Sequence, residues 1–214
     1  MMTPEMLEIG LVAFTTFFAT VGPVDSAALF AALTAGVPTN QRRRTAIKSV
    51  AIATIILLIF VFFGADVLHY MGISMAALKT SGGILLLLVG IDMVLAKSSG
   101  ATSTTDDEAE EAQHRDDISV FPLATPIIAG PGTIGASVLL IANTEGNVKF
   151  QAMVVMALVA NLLIVLICFL MATQLQRLLG ITGLNVISRI LGVLLCALAV
   201  QFIFDGIGTS GLLA

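Results

Sequence analysis

The sequence predicts an all-α, polytopic membrane protein. Its six transmembrane helices form two inverted three-helix repeats, with helices one and four broken. Three observations carry this prediction. First, the 214 residues are 57% apolar and only 11% charged, with a mean hydropathy of +1.04. A soluble domain of that length could not cover so apolar a chain with polar surface. Second, residues 49–65 and 150–176 carry no charge, and a helix crosses hydrocarbon in about 20 such residues. Third, Gly22-Pro23 and Gly130-Pro131 interrupt two apolar stretches 108 residues apart. Gly72-Ile73-Ser74 matches Gly180-Ile181-Thr182 at the same offset, and Gly83 matches Gly192 at 109. A repeat whose helices break at matching places is the pattern of inverted-repeat carriers. The apolar alternation of a transmembrane barrel is absent.

The elements follow in order. Span one, 7–35, begins beside Glu5 and Glu8 rather than a basic region and contains the first Gly-Pro break. It is therefore read as a retained span, not a signal peptide. Span two covers 45–69, with Asp66 and His69 near its outer end. Span three covers 76–96, where Gly82-Gly83 and Gly90 permit close helix approach. Residues 97–117 are rich in Ser, Thr, Asp and Glu. With too few apolar groups to offset the entropy of ordering, they form an acidic linker between a first repeat (1–96) and a second (118–214). Span four, 120–143, holds three prolines and two glycines within the twelve residues from Pro122 to Thr133, a density no ordinary span needs. Spans five and six cover 151–173 and 186–204, the latter with Gly192.

Basic residues set the orientation. Arg42, Arg43, Arg44 and Lys48 lie between spans one and two, which puts that loop in the cytoplasm and both termini outside. Lys97, Arg115, Arg177 and Arg189 fall on the same side, leaving only Lys79 and Lys149 outside. Three spans per half then invert the second half relative to the first.

A break inside a span leaves backbone groups that lipid cannot satisfy, so it implies a buried or water-filled pocket. Ser26 and Thr133 are placed to cap the restarting half-helices. Free N–H groups and the positive dipole end at Gly130, Pro131, Gly132 and Thr133 suit an anionic group such as a carboxylate. Asp25, just beyond Gly22-Pro23, is an acid deep in a span and a candidate for a proton or a substrate ammonium. It could equally complement the local dipole. Thr125, Pro126, Asn161 and Gln201 complete the candidate substrate-binding set, with Asn161 and Gln201 either lining the pocket or bonding a neighbouring helix.

Other functions find little support. The net charge of −4 gives no basic domain for nucleic acid. Cys168 and Cys196 sit in apolar runs and form no Cys-x-x-Cys pair. The only histidines, His69 and His114, make no metal or catalytic motif, and no phosphate-binding loop exists. Neither an enzyme nor a bound cofactor or metal is expected. The reading is a secondary transporter moving a small polar solute at a midplane site. A channel and a non-transporting scaffold are the alternatives. Expected partners are the solute and membrane lipid, with a homo-oligomer open.

The run Phe121-Pro122-Leu123-Ala124-Thr125-Pro126-Ile127-Ile128-Ala129-Gly130-Pro131-Gly132-Thr133-Ile134 resembles the fourth span of the MarC-related integral membrane family. That family's phrase there is F-P-L-A-x-P-x-x-A-G-P-G-x-I. The closing stretch Ala199-Val200-Gln201-Phe202-Ile203-Phe204-Asp205-Gly206-Ile207 is also similar to it. The resemblance implies a bacterial or archaeal inner-membrane protein, and some family members are linked to transport of small neutral amino acids. The first-half motif departs from the family's [D/N]-P-[L/I]-G-N-x-P. Only Pro23 is kept, Gly22 replaces the acid or amide, Asp25 stands at the glycine, and Ser26 at the asparagine. This departure leaves a subgroup with a different solute as an alternative.

Overall fold

A computed structural model describes residues 4–34, 36–95 and 118–211. The expected linker at 97–117, with Lys97, His114 and Arg115, lies outside the described residues, as do the side chains of Asp66, His69 and Arg177. All elements among the described residues are helical. They are α1 (Pro4–Val21), α2 (Pro23–Leu33), α3 (Thr39–Tyr70), α4 (Met75–Leu95), α5 (Ser119–Ile128), α6 (Pro131–Ala142), α7 (Val148–Leu170) and α8 (Ala172–Thr209). Five stretches are long and apolar enough to cross a membrane, and α5 with α6 makes a sixth, bent by 54°.

Two boundaries differ from the sequence reading. Helix α3 starts at Thr39, so Arg42, Arg43 and Arg44 belong to its first turns rather than to a loop. Arginine is a good helix former, and no Gly or Pro interrupts the chain from Thr39 to Thr45. The loop expected between spans five and six is absent. Met171 alone separates α7 from α8, which runs helically from Ala172 through the apolar stretch Val186–Thr209. Gly180–Thr182 consequently lies inside a helix, whereas its sequence match Gly72–Ser74 forms the α3–α4 turn, with Ser74 Oγ accepting from the Ala77 N–H at 3.1 Å. The 108-residue correspondence does not extend to local structure there.

Packing is most extensive between elements from opposite halves of the chain, α4 with α8 and α1 with α7. The α4–α8 contact brings backbones together at small residues. A Cβ on Gly83 would lie 2.7 Å from the Ala199 carbonyl oxygen, one on Gly90 3.0 Å from that of Gly192, and one on Gly206 2.9 Å from that of Ala76. Partners descend α8 as they ascend α4, seven residues per step, so the helices run antiparallel along a seam of Gly and Ala. Elsewhere Phe17, Leu57, Leu86, Leu123, Ile128 and Leu139 fill the core, each under 2% exposed.

Candidate functional site

The two breaks are built differently. At the first, Gly22 takes φ 53° and ψ 64°, a left-handed conformation that a side chain would strain, and Pro23 starts α2 with its ring already set for the helix. Hydrogen bonding continues through it. The Gly22 N–H donates to the Phe18 carbonyl at 3.1 Å, and the Ser26 N–H donates to the Gly22 carbonyl at 2.8 Å. The Ser26 hydroxyl does not cap α2. It donates backward to the Val21 carbonyl at 2.8 Å and stitches the break closed. Pro4–Leu33 accordingly forms one 30-residue apolar span.

At the second break the chain leaves the helix. Phe121 (φ −126°, ψ 127°) and Thr125 (φ −133°, ψ 127°) are extended, each followed by a proline through a cis bond. Extended backbone before proline follows from the clash of its ring with the preceding residue. Two wide turns result, closed by the Leu123 N–H to the Ile118 carbonyl (3.3 Å) and the Ala129 N–H to the Ala124 carbonyl (2.9 Å). The Thr125 hydroxyl donates to the Val120 carbonyl at 3.1 Å, and Pro126 sits within the second turn. Gly130, extended at φ −81° and ψ 170°, leads into α6 and contributes no capping side chain.

The start of α6 is therefore poor in partners. Pro131 has no N–H, and the next donors, Gly132 and Thr133, belong to the first turn that a helix cannot satisfy from its own ladder. Thr133 was expected to cap the helix, but its Oγ1 makes no hydrogen bond among the described residues, although the residue is only 1% exposed. Gly132 lies where a Cβ would come 2.8 Å from Val89 Cγ2, so its lack of a side chain lets α6 approach α4.

The interrupted segments adjoin, with α1 against α6 and α2 touching α5. The other candidates divide. Asn161 is fully buried on α7, and its amide donates to the Phe14 carbonyl of α1 (3.2 Å) and to Ala157 (2.9 Å), while its Oδ1 has no partner among the described residues. Asp25 accepts a 2.8 Å hydrogen bond from the Ser188 hydroxyl of α8, 163 residues away. Gln201 stands apart, exposed on α8 and donating to Asp205 one turn on at 2.9 Å. Arg189 is exposed and forms no ion pair among the described residues.

A cavity of ≈ 180 Å³ opens between the halves near the far end of α6, lined by Glu8 and Val12 of α1, Asn143, Val154 of α7 and Phe202 of α8. It lies about 15 Å along α6 from Gly130, at 1.5 Å per residue, and not at the breaks themselves. Asn143 Oδ1 is buried there without a partner among the described residues. Neither Ser188, Glu8 nor Asn143 was a candidate from sequence. Each is a common polar residue whose place at a site is set by packing against elements far along the chain.

A family model described as MarC family integral membrane protein matches residues 7–210. The chain belongs to the MarC family. Similar proteins occur in archaea and bacteria and are named only as UPF0056 membrane proteins. One from Methanocaldococcus jannaschii is 35% identical over 201 residues, covering 94% of this chain and 97% of its own. YvbG of Bacillus subtilis is 33% identical over 199 residues, with 93% of each chain covered. YhcE of Escherichia coli is 35% identical over 198 residues, covering 91% and 89%. No solved structure matches the chain. In this MarC protein, the phrase that resembled the family is the segment that forms the wide turns and the uncapped start of α6.

Proposed function

We propose that this MarC protein is a secondary transporter for a small polar solute of the neutral amino acid class, acting by alternating access in a bacterial or archaeal inner membrane. The observation that carries this reading is the uncapped start of α6, where the Gly132 and Thr133 N–H groups meet a buried Thr133 hydroxyl with no partner among the described residues. A buried polar group without a partner is costly, and a helix N-terminus suits a carboxylate. The solute carboxylate docks there. Asn161 Oδ1, also buried and open, offers an acceptor to an ammonium. Asp25, bonded across to Ser188, carries the coupling proton, and protonation weakens its charge-assisted hold on α8. Because the large α4–α8 and α1–α7 contacts join the two halves, movement confined to α2, α5 and α6 disturbs less packing than rocking whole halves. The cytoplasmic side is the one carrying Arg42, Arg43 and Arg44.

A second reading, a non-transporting membrane scaffold, draws on the first break, whose backbone is already bonded through. Uptake into proteoliposomes separates the two. A panel of labelled amino acids, with and without an imposed pH gradient, should give saturable accumulation of at least one small neutral member. Absence of uptake for the entire panel in either protein orientation sinks the carrier reading.

A further inference from the structure

On the side of the basic cluster, the end of α2, the first turns of α3 and the α7–α8 corner enclose a cavity of ≈ 330 Å³. Every polar side chain lining it can donate hydrogen bonds: Arg42 and Arg43, the hydroxyls of Thr39 and Thr173, and the Gln174 amide. No acidic side chain among the described residues lines it. Its floor is the pair Phe30 and Phe169, each 1% exposed, stacked with centroids 4.5 Å apart and planes 10° from parallel. The Arg42 guanidinium lies over Phe30, 5.9 Å from the ring centroid, a contact that holds the charge in place. No described carboxylate pairs with either arginine. Two cations at the rim of one cavity repel each other unless an anion sits between them. The planar, forked guanidinium matches phosphate oxygens two at a time.

We infer that this cavity binds a phosphate group, carried either by an anionic phospholipid headgroup or by a free phosphate. It is separate from the α6 site and stands whether or not the protein transports amino acids. The apolar floor and Leu170 accommodate the non-ionic part of the ligand. The cavity also lies where the polar start of α3 gives way to its apolar stretch, the depth at which lipid phosphates sit.

The test uses the full chain in neutral detergent, titrated with phosphatidylglycerol, phosphatidylcholine or inorganic phosphate. Two signals are followed: thermal stability, and the rate at which phenylglyoxal modifies each arginine, read by peptide mass spectrometry. Binding should raise the melting temperature and protect Arg42 and Arg43 several-fold more than Arg44, which lines a shallow surface outside the cavity. A response to phosphatidylglycerol but not to inorganic phosphate assigns the lipid headgroup, and a response to both assigns the free group. R42Q/R43Q should weaken binding roughly tenfold or more. The charge-matched R44Q/K48Q should leave it unchanged. Equal protection of all three arginines, equal loss in the two double variants, an equal response to phosphatidylcholine, or no response to either anion overturns the inference. The labelling is read on the unaltered chain, so a double variant that fails to fold does not decide the matter.

Discussion

Thr133 combines two conflicting roles. Its hydroxyl is buried without a partner among the described residues, an arrangement that costs about 1–3 kcal/mol. Valine has nearly the same shape and no hydroxyl. T133V should therefore leave stability unchanged or raise it by about 1 kcal/mol, while cutting solute uptake at least tenfold. Thermal unfolding in detergent and proteoliposome uptake read the two effects separately. A variant that is both more stable and fully active would remove the hydroxyl from the site. Asp25 gives the complementary case. Asparagine can still accept the Ser188 hydrogen bond through its amide oxygen, so D25N should fold normally. It cannot take up a proton, and gradient-driven accumulation should disappear while solute exchange at equal pH persists. Undiminished accumulation in D25N would place proton coupling elsewhere.

Among the elements, the α4–α8 seam shows how strongly small residues fix the structure. A Cβ at Gly90 would meet Cys196 Sγ at 2.7 Å and the Cys196 N and Gly192 O atoms at 3.0 Å, so backbone must move to admit it. G90V should destabilise by about 1–3 kcal/mol or more through overpacking. Gly135, also in a helix, has only Leu85 Cδ1 nearby, at 3.7 Å. G135A should therefore be close to neutral, and melting temperatures of the two variants test the seam. Equal effects would mean that helix propensity, not close approach, sets the cost. The half-helices differ in a similar way. Ser26 reaches back to Val21 and closes the first break, whereas the Thr133 hydroxyl has no hydrogen-bond partner among the described residues, although both follow a Gly-Pro pair by three residues or fewer.

At the scale of the whole molecule, the halves are joined by long contacts, by the Asp25–Ser188 bond and by Asn161 reaching Phe14. The proposed orientation in the membrane rests on the placing of the basic residues, and accessibility tests it. In a chain with Cys168 and Cys196 replaced by alanine, N40C at the start of α3 should react with an impermeant maleimide only from the cytoplasmic side. V148C, at the first residue of α7 and 75% exposed, should react only from outside. The reverse pattern would invert the proposed topology.

Composition and charge-free length by themselves determined that this chain is all-helical and embedded in lipid, because hydrocarbon tolerates only helices with closed hydrogen bonding when barrel alternation is lacking. Proline and glycine likewise marked both breaks, since their effect on the backbone is local. The phrase from Phe121 to Ile134 marked the family for the same reason. What those breaks do with their hydrogen bonds was settled only in three dimensions. The left-handed Gly22 decides that Ser26 turns back to Val21, whereas whether Thr133 finds a partner and whether Asp25 meets Ser188, 163 residues away, depend on how distant parts of the chain pack together. The same holds for Gln201, polar and well placed in the sequence yet facing outward on α8. Periodicity states that a helix has faces, and only packing against its neighbours decides which face is buried.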